Sequence, residues 1–182
     1  MSQPASAPAN VSDAVKCDLA GEVLRSFGTL RFAATGWSML PTIFPGDILM
    51  VERIDEDQVN LGDVILASRD GWFCAHRVVA KSEDCGPSWL TQGDAMAIPD
   101  RPVKPSEVLG RVAYVTRRGK RIALPAKLSV IESLIASLVR RSFFAARVLI
   151  YLHKVYLYKI DPNEYLASAV HTSKESITPC QG

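Results

Sequence analysis

The sequence predicts a mainly β fold, a coiled antiparallel sheet or partial barrel with a short N-terminal helix and a C-terminal helical extension. First, short apolar runs between residues 29 and 124 alternate with turns rich in Gly, Pro and Asp, which is typical of antiparallel β structure. Second, residues 128–159 form one long run of Leu, Ile, Val and aromatic side chains with helical composition. Third, a chain of 182 residues with 48% hydrophobic residues is long enough to build one core.

The composition argues against several classes of protein. The net charge is +2 and charged residues make up 22% of the chain, so the overall charge does not predict a nucleic-acid partner. The basic run 117–121 is more typical of a solvated hairpin than of a nucleic-acid patch. The cysteines form no C-x-x-C pair and match no zinc spacing, which favours free thiols and leaves a disulfide as the open alternative. We expect neither a metal nor a cofactor. The cysteines are Cys17, Cys74, Cys85 and Cys180.

Both ends of the chain are predicted to be tails. Residues 1–11 are rich in Ala, Pro, Ser and Asn and have neither the basic nor the apolar region of a secretory signal, so we expect disorder there. Residues 161–182 are polar and begin with a helix-stopping Asp-Pro pair. No run reaches the ~18 uncharged apolar residues of a membrane-spanning helix. We therefore expect a cytoplasmic or peripherally membrane-associated protein.

Residues 12–28 are predicted to form the N-terminal helix, with Ser12 as its cap and Gly28 at its end. Apolar side chains recur every four residues along this segment, which places them on one stripe. We expect that stripe to pack on the domain that follows. Its members are Val15, Leu19, Val23 and Phe27.

Residues 29–124 are predicted to form the β domain. Clusters of Gly, Pro, Asn and Asp separate its strands, and the sequence Arg69-Asp70-Gly71 is typical of a tight hairpin. The predicted strands are 29–35, 48–52, 64–68, 72–81, 89–92, 109–116 and 121–124.

Residues 125–160 are predicted to form basic, apolar helices in one or two pieces. A basic helix that also carries aromatic residues can bind an anionic membrane surface. A helical appendage on the β domain, or a pair of partner-binding helices, explains the same pattern, and both interpretations stay open. The basic residues are Arg140, Arg141, Arg147, Lys154 and Lys159, and the aromatic ones include Phe143, Phe144, Tyr151, Tyr156 and Tyr158.

The turn around Ser38 is the first candidate for a functional site. A predicted strand runs into Gly36, one serine follows, and Pro41 stops the chain from continuing as a helix or central strand. We therefore expect Ser38 on a tight bend at the mouth of a small β structure, where an exposed nucleophile is useful. By itself, a serine near Gly and Pro is more often a plain turn residue. Met39 and Leu40 are expected to line the substrate cleft.

A histidine and two aspartates are the other candidates. Period-two alternation places His76 on the same strand face as Cys74, where a core histidine with a satisfied hydrogen bond is the common alternative. The later loop supplies Asp94 and Asp100, and such aspartates commonly cap turns. Ser38, His76 and an aspartate together would supply the nucleophile, base and orienting carboxylate of acyl transfer. A metal site of Cys74, His76 and an aspartate is a weaker hypothesis, because the spacing is not distinctive.

The chain contains five short boxes in order: Gly36-Trp37-Ser38-Met39-Leu40-Pro41-Thr42, Pro45-Gly46-Asp47, Gly62-Asp63-Val64-Ile65, Ala75-His76-Arg77-Val78-Val79, and Gly93-Asp94 followed by Asp100-Arg101. These boxes resemble the type I signal peptidase family, to whose clan the self-cleaving LexA/UmuD proteins belong. The resemblance covers about residues 29–122 and implies the coiled antiparallel fold of that family. The bacterial branch and LexA have lysine where this chain has His76, so the sequence is more similar to the endoplasmic-reticulum and archaeal branch. The resemblance implies Ser38 as nucleophile, His76 as general base and Asp100 as the third residue, with Asp94 as its competitor.

The sequence departs from that family in two ways. Gly36 stands where many signal peptidases have a serine that binds the oxyanion, although LexA-like proteins also have glycine there. Backbone N–H groups, including that of Ser38, would then have to bind the oxyanion. The sequence also contains no run suited to the N-terminal membrane anchor of signal peptidases, a role that the C-terminal helices would take over if they bind lipid.

The resemblance predicts a serine endopeptidase that cleaves a peptide or precursor protein after small residues. One alternative is a LexA/UmuD-like regulator that cuts itself, for which the Ala20-Gly21 pair has the right small-residue character. No helix-turn-helix region is recognisable ahead of the domain, which argues against a DNA-binding repressor. Another alternative is a catalytically inactive peptide-binding module on the same fold, which the Gly36 departure favours.

Overall fold

The computed structural model describes residues 11–69, 71–82 and 86–160. They form two compact units, of which one ends at Arg141 and the other begins at Ser142. The predicted terminal tails lie outside the described residues, except that Val11 already belongs to the first helix.

The described elements follow the order that the sequence predicts, and the mainly antiparallel β fold is confirmed. Most of the predicted strand ends lie within one or two residues of the observed ones. The elements are α1 Val11–Phe27, β1 Thr29–Ala33, β2 Ile48–Glu52, β3 Val64–Arg69, β4 Trp72–Ser82, β5 Ser88–Gln92, β6 Val108–Arg117, β7 Lys120–Ile122, α2 Val130–Arg141 and α3 Phe143–Ile160, with short 3₁₀ turns at Glu56–Gln58 and Pro105–Glu107.

The seven strands form one sheet in the order β1-β2-β6-β3-β4-β5, and β7 pairs with the C-terminal end of β6. Every strand pair is antiparallel. The register shifts between Met50 and Val51, between Leu66 and Ala67, and between Val78 and Ala80. Such irregularities bend and twist a sheet locally.

The strand β3 lies between two cores. Val64 and Leu66 belong to one buried cluster, whereas Ile65 and Ala67 belong to another. Because alternate residues of a strand point to opposite faces, β3 is covered on both sides. Double burial explains why β3 appears in the sequence as an uninterrupted apolar run rather than as an alternating one.

The helix α1 packs through a different face from the one that the sequence predicts. Val15, Leu19 and Phe27 are exposed, whereas the buried residues are Cys17, Ala20, Gly21 and Leu24. Gly21 lies against the side chain of Leu109 in β6. The prediction of the buried stripe is therefore wrong, because the contact face combines Leu24 with small residues that allow close packing.

The predicted C-terminal helical run forms two helices. Ser129 caps α2: its side chain accepts a hydrogen bond from the Glu132 N–H, while the Glu132 carboxylate accepts one from the Ser129 N–H. In the second unit, the Ser142 hydroxyl accepts a hydrogen bond from the Ala145 N–H at the start of α3. Among the described helices, none has the length and apolar character needed to cross a membrane.

Candidate active site

Ser38 lies in the turn between β1 and β2 and is partly exposed. After Ser38 the chain folds back on itself, since the N–H groups of Thr42 and Ile43 both donate to the Met39 carbonyl at 2.9 Å. That turn directs the following residues inward. Met39 and Leu40 are only 4% and 0% exposed, and Met39 belongs to the main core. Both side chains are thus buried here, and their predicted place in the substrate cleft stays a prediction.

The far end of the Ser38 turn is fixed by an arginine from the sheet. Arg117 of β6 donates two hydrogen bonds to the Asp47 carboxylate, at 2.8 and 2.7 Å, and one to the Thr42 carbonyl at 3.1 Å. Asp47 is buried, and its carboxylate also accepts a hydrogen bond from the Phe44 N–H. The interpretation of the basic run as a solvated hairpin is thus wrong for Arg117. Sequence reasoning missed this role because the two partners are 70 positions apart.

His76 reaches Ser38 from the middle of β4. Its Nε2 atom is 2.9 Å from the Ser38 Oγ atom, and its Nδ1 atom is 2.6 Å from the Asp100 Oδ2 atom. The carboxylate fixes the proton of a neutral imidazole on Nδ1, so that Nε2 accepts a hydrogen bond from the Ser38 hydroxyl. The three side chains therefore form one continuous hydrogen-bonded chain.

Asp100 and the residues that follow it are held in place by side chains from β5 and β3. The Thr91 hydroxyl donates to the Asp100 Oδ2 atom at 2.7 Å, and the Asp100 N–H donates to the Thr91 carbonyl at 2.8 Å. Arg69 of β3 donates to the carbonyls of Arg101 and Pro102, immediately after Asp100. Thr91 and Arg69 were missed in the sequence because neither residue type is distinctive in a β domain.

The loop that begins at Gly93 passes close to the backbone of Ser38 and to the side chain of His76. A Cβ atom at Gly93 would lie 2.7 Å from the Ser38 carbonyl oxygen and 3.1 Å from the His76 Nε2 atom, so a larger residue would displace one of them. The Ala95 N–H donates to the same Ser38 carbonyl at 2.8 Å. The Gly-Asp box therefore owes its glycine to the close approach of two backbone segments.

Asp94 has different partners from Asp100. Its carboxylate receives two hydrogen bonds from Arg77, each 2.8 Å long, and one from the Thr42 hydroxyl at 2.6 Å. The side chains of Arg77 and Asp94 are both almost completely buried. Between the two aspartates that the sequence leaves open, Asp100 is the one in contact with His76.

The pKa of His76 is strongly shifted. Burial alone lowers it, but hydrogen bonds and electrostatic attraction to Asp100 and Cys74 outweigh burial and raise the pKa from 6.5 to about 10. Burial likewise opposes ionisation of Asp100, yet the hydrogen bond and charge of His76, with help from Thr91, lower the pKa of Asp100. At neutral pH the pair is therefore an imidazolium–carboxylate ion pair, and His76 must lose a proton before it can act as a base.

Two further features bear on the chemistry at this position. The Ser38 N–H finds no acceptor within the described part of the chain, so it is available to a developing oxyanion. A Cβ atom at Gly36 would lie 4.0 Å from the Ser38 Oγ atom, with nothing nearer, so the departure from the signal peptidase pattern leaves open space there.

Cys74 is the fourth side chain at the site. Its Sγ atom is 3.0 Å from the His76 Nδ1 atom, the nitrogen that also contacts Asp100. Cys74 and Cys17 are free thiols, whereas Cys85 and Cys180 lie outside the described residues. Cys74, His76 and Asp100 each offer one ligand atom, and these atoms all lie within 4.8 Å of one another, so they could hold a metal ion.

Comparison with known proteins gives one family. The family model described as Peptidase S24-like matches residues 5–113, more than half of the chain, and that range contains Ser38, His76 and Asp100. No curated protein matches the chain significantly. The match confirms the coarser resemblance, to the clan of LexA and the signal peptidases, while the closer similarity to the Ser–His signal peptidase branch stays a prediction.

Proposed function

The chain belongs to the Peptidase S24-like family, and from that premise we propose that it is a serine endopeptidase of the signal peptidase type. Ser38 is the nucleophile, His76 the general base and Asp100 the carboxylate that orients the base. The observation that carries the proposal is the continuous hydrogen-bonded chain from Ser38 through His76 to Asp100. A Ser–His–Asp constellation is recognised by its geometry and not by its order in the sequence.

The reaction begins when the Nε2 atom of neutral His76 accepts the Ser38 proton and the Oγ atom attacks the peptide carbonyl. The oxyanion is stabilised by backbone N–H groups, among them that of Ser38. His76 then donates the proton to the leaving amine, which yields an acyl-enzyme. Water attacks this ester with His76 again as base, and the acid product leaves while Ser38 regains its proton. Asp100 stabilises the imidazolium in each half-reaction.

The substrate that we propose is an extended segment of a peptide or precursor protein with small residues before the scissile bond. This specificity rests on the resemblance of the boxes to type I signal peptidases. No cofactor is needed in this reaction, because the serine, the histidine and backbone donors supply the nucleophile, the base and the oxyanion site.

Cleavage of a library of Ala-x-Ala peptides tests the proposal. The wild type should cut a subset of the library, and Ser38→Ala and His76→Ala should each lose activity by about 10⁴-fold or more. Ser106→Ala is the matched control, because Ser106 is exposed and distant in sequence from the other serine variant. If Ser38→Ala cut as fast as the wild type, the proposed nucleophile would be wrong.

Two alternatives have less support. The Ala20-Gly21 bond lies inside α1, and both residues are buried against the sheet, so self-cleavage there would require the helix to unwind. Intact mass after alkaline incubation tests this: trimming between these residues would favour the self-cleaving regulator. An inactive peptide-binding module would not need the hydrogen-bonded Ser–His–Asp chain, and it would be favoured if no library peptide were cut in the presence of membranes.

We also propose that the C-terminal helices contact an anionic membrane surface. Val130, Ile131, Leu134 and Leu138 are exposed on α2, which ends with Arg140 and Arg141. On α3, the exposed apolar or aromatic residues include Phe144, Tyr151, Leu152 and Tyr156, and Arg147 and Lys154 are also exposed. Exposed apolar side chains beside basic residues are the pattern of an interfacial helix.

Co-sedimentation with lipid vesicles tests the membrane proposal. The protein should pellet with vesicles that contain anionic phosphatidylglycerol and remain in solution with neutral phosphatidylcholine. The variant Ile131→Ser/Leu134→Ser should reduce binding, whereas Glu56→Ser, an exposed control on the β domain, should not. Equal binding of both vesicle types, or none, would contradict the proposal.

A further inference from the structure

Three side chains beside Ser38 carry different metal-ligand atoms. Cys74 and His76 are two residues apart on β4 and therefore share a face, and Asp100 comes from the loop after β5. The Cys74 Sγ atom is 3.0 Å from the His76 Nδ1 atom, which is 2.6 Å from the Asp100 Oδ2 atom. The Cys74 residue is partly exposed, and the side chains of His76 and Asp100 are 11% and 29% exposed, so a small ion can enter.

We propose that Cys74, His76 and Asp100 form an inhibitory zinc site. A thiolate, an imidazole and a carboxylate are the ligands that Zn²⁺ takes in proteins, usually in tetrahedral geometry with water at an open position. Hard ions such as Mg²⁺ and Ca²⁺ prefer sites made only of oxygen ligands. The inhibitory consequence rests on the proposed peptidase function, whereas zinc binding itself does not.

Zinc binding requires the three ligand atoms to move slightly farther apart. Zinc bonds of about 2.0–2.3 Å at tetrahedral angles place a nitrogen and an oxygen ligand about 3.4 Å apart, and a sulfur and a nitrogen ligand about 3.6 Å apart. The two contacts of the His76 Nδ1 atom must therefore lengthen by about 0.6–0.8 Å. Asp100 lies on a loop, so a small movement of its side chain and that of Cys74 opens the space. The Thr91 hydroxyl, which donates to Asp100, would orient the carboxylate towards the metal.

Zinc at this position prevents His76 from acting as the general base. The Cys74 thiol and the Nδ1 atom of the His76 imidazolium each give up a proton to solvent, and the metal binds the thiolate and the freed Nδ1 lone pair. The proton that remains on the neutral imidazole is then on Nε2, which faces the Ser38 Oγ atom at 2.9 Å. In this state Nε2 donates a hydrogen bond and cannot accept the serine proton, so the nucleophile is not activated.

Metal binding is measured first, without any substrate. The full chain with Cys85→Ser and Cys180→Ser is titrated with Co²⁺, a spectroscopic substitute for zinc whose thiolate complexes absorb by charge transfer, and the Co²⁺ is then displaced by Zn²⁺. The Cys85→Ser/Cys180→Ser protein should show the Co²⁺–thiolate charge-transfer band. Adding Ser38→Ala to this protein should leave the band unchanged. Cys74→Ser should abolish the band and raise the zinc Kd by at least about 100-fold, since even outer partners of a site contribute 10–100-fold. Cys17→Ser, which removes a buried thiol elsewhere, is the matched control and should retain the band.

Peptide cleavage is measured second, as the ratio of rates with and without Zn²⁺ for each protein. Zinc should slow the wild type by at least about tenfold, a chelator should restore the rate, and Mg²⁺ should have no effect. In Cys74→Ser the ratio should approach one, whatever the basal rate of this variant. Equal inhibition of both proteins, or the absence of the charge-transfer band in the Cys85→Ser/Cys180→Ser protein, would overturn the proposal. If no peptide is cleaved at all, the peptidase function fails while the Co²⁺ titration still decides the metal site.

Discussion

Asp94 and Asp100 lie six residues apart on the same loop, yet their surroundings differ in kind. Asp94 is buried and forms a bidentate ion pair with Arg77. The side chain of Asp100 is 29% exposed and contacts the imidazole of His76. One aspartate is therefore paired with a permanent charge, and the other with a group that gains and loses a proton.

The difference shows how a partner decides what a carboxylate can do. A guanidinium keeps its proton at any ordinary pH, so the Arg77–Asp94 pair stabilises the fold and cannot take part in proton transfer. An imidazole is the side chain whose protonation changes near neutral pH, so a carboxylate beside it tunes a base. Both aspartates belong to the same sequence pattern, and only their partners separate a structural from a chemical role.

Asp100→Asn gives the largest effect that we predict. The amide leaves the shape of the site intact but no longer stabilises the imidazolium or fixes its tautomer, so kcat should fall by about 10⁴-fold. The free energy of unfolding should also fall at neutral pH, because the ion pair with His76 is lost, but by less than in Asp94→Asn, since the Asp100 side chain is 29% exposed. Steady-state cleavage of a library peptide and urea denaturation measure the two quantities. A variant with wild-type kcat would mean that Asp100 does not support His76.

Asp94→Asn should mainly reduce stability and have a much smaller effect on kcat than Asp100→Asn. Removal of one charge leaves Arg77 buried without its counter-ion, which typically costs about 3–5 kcal/mol of stability. Urea denaturation measures this loss, and kcat of the folded protein should change far less than in Asp100→Asn. In a double-mutant cycle with Arg77→Ala and Asp94→Ala, the loss in the double variant should be smaller than the sum of the two single losses. A stable but inactive Asp94→Asn would reverse the roles that we assign to the two aspartates.

The pH dependence of cleavage should also distinguish the roles of Asp94 and Asp100. The pKa of His76 is raised to about 10, and only neutral His76 accepts the serine proton. In the presence of a chelator, kcat/KM of the wild type should therefore rise about tenfold per pH unit up to about pH 10. Asp100→Asn should move the rise to lower pH, because the hydrogen bond to Asp100 raises that pKa. Asp94→Asn should leave its position unchanged, and a flat profile between pH 7 and 10 in the wild type would contradict the assignment.

Arg69→Gln should have the smallest effect of the four. Arg69 holds the backbone after Asp100 through the Arg101 and Pro102 carbonyls, and it pairs with Glu107. Loss of these bonds should loosen Asp100 and lower kcat by about tenfold, less than the ~10²-fold that a 1 Å misplacement can cost. Arg111→Gln is the control, because the Arg111 side chain is 37% exposed and lies 3.8 Å from the Asp63 carboxylate, a long distance for an ion pair. An unchanged kcat in Arg69→Gln would show that the Arg69 hydrogen bonds do not position Asp100.

Much of the fold was predictable because its determinants are local. Strand β2, for example, was predicted with its observed bounds from an apolar run between two turns. The strand that carries His76 was recognised in the same way, to within one residue at its end. Apolar patterning and turn chemistry act over a few neighbouring residues, so a single sequence contains them. The boxes likewise identified Ser38, His76 and Asp100 as candidates, and their catalytic roles stay a prediction.

The sequence by itself thus determined the order of the elements and the set of candidate side chains. Only the tertiary structure decided which face of α1 is buried, that Met39 and Leu40 point into the core, and which aspartate contacts His76. Each of these outcomes depends on groups that are distant in sequence, such as Thr42 with Asp94 or Asp47 with Arg117. Local pattern cannot encode such pairings, because they arise only when the sheet brings the partners together and burial requires each polar group to find one.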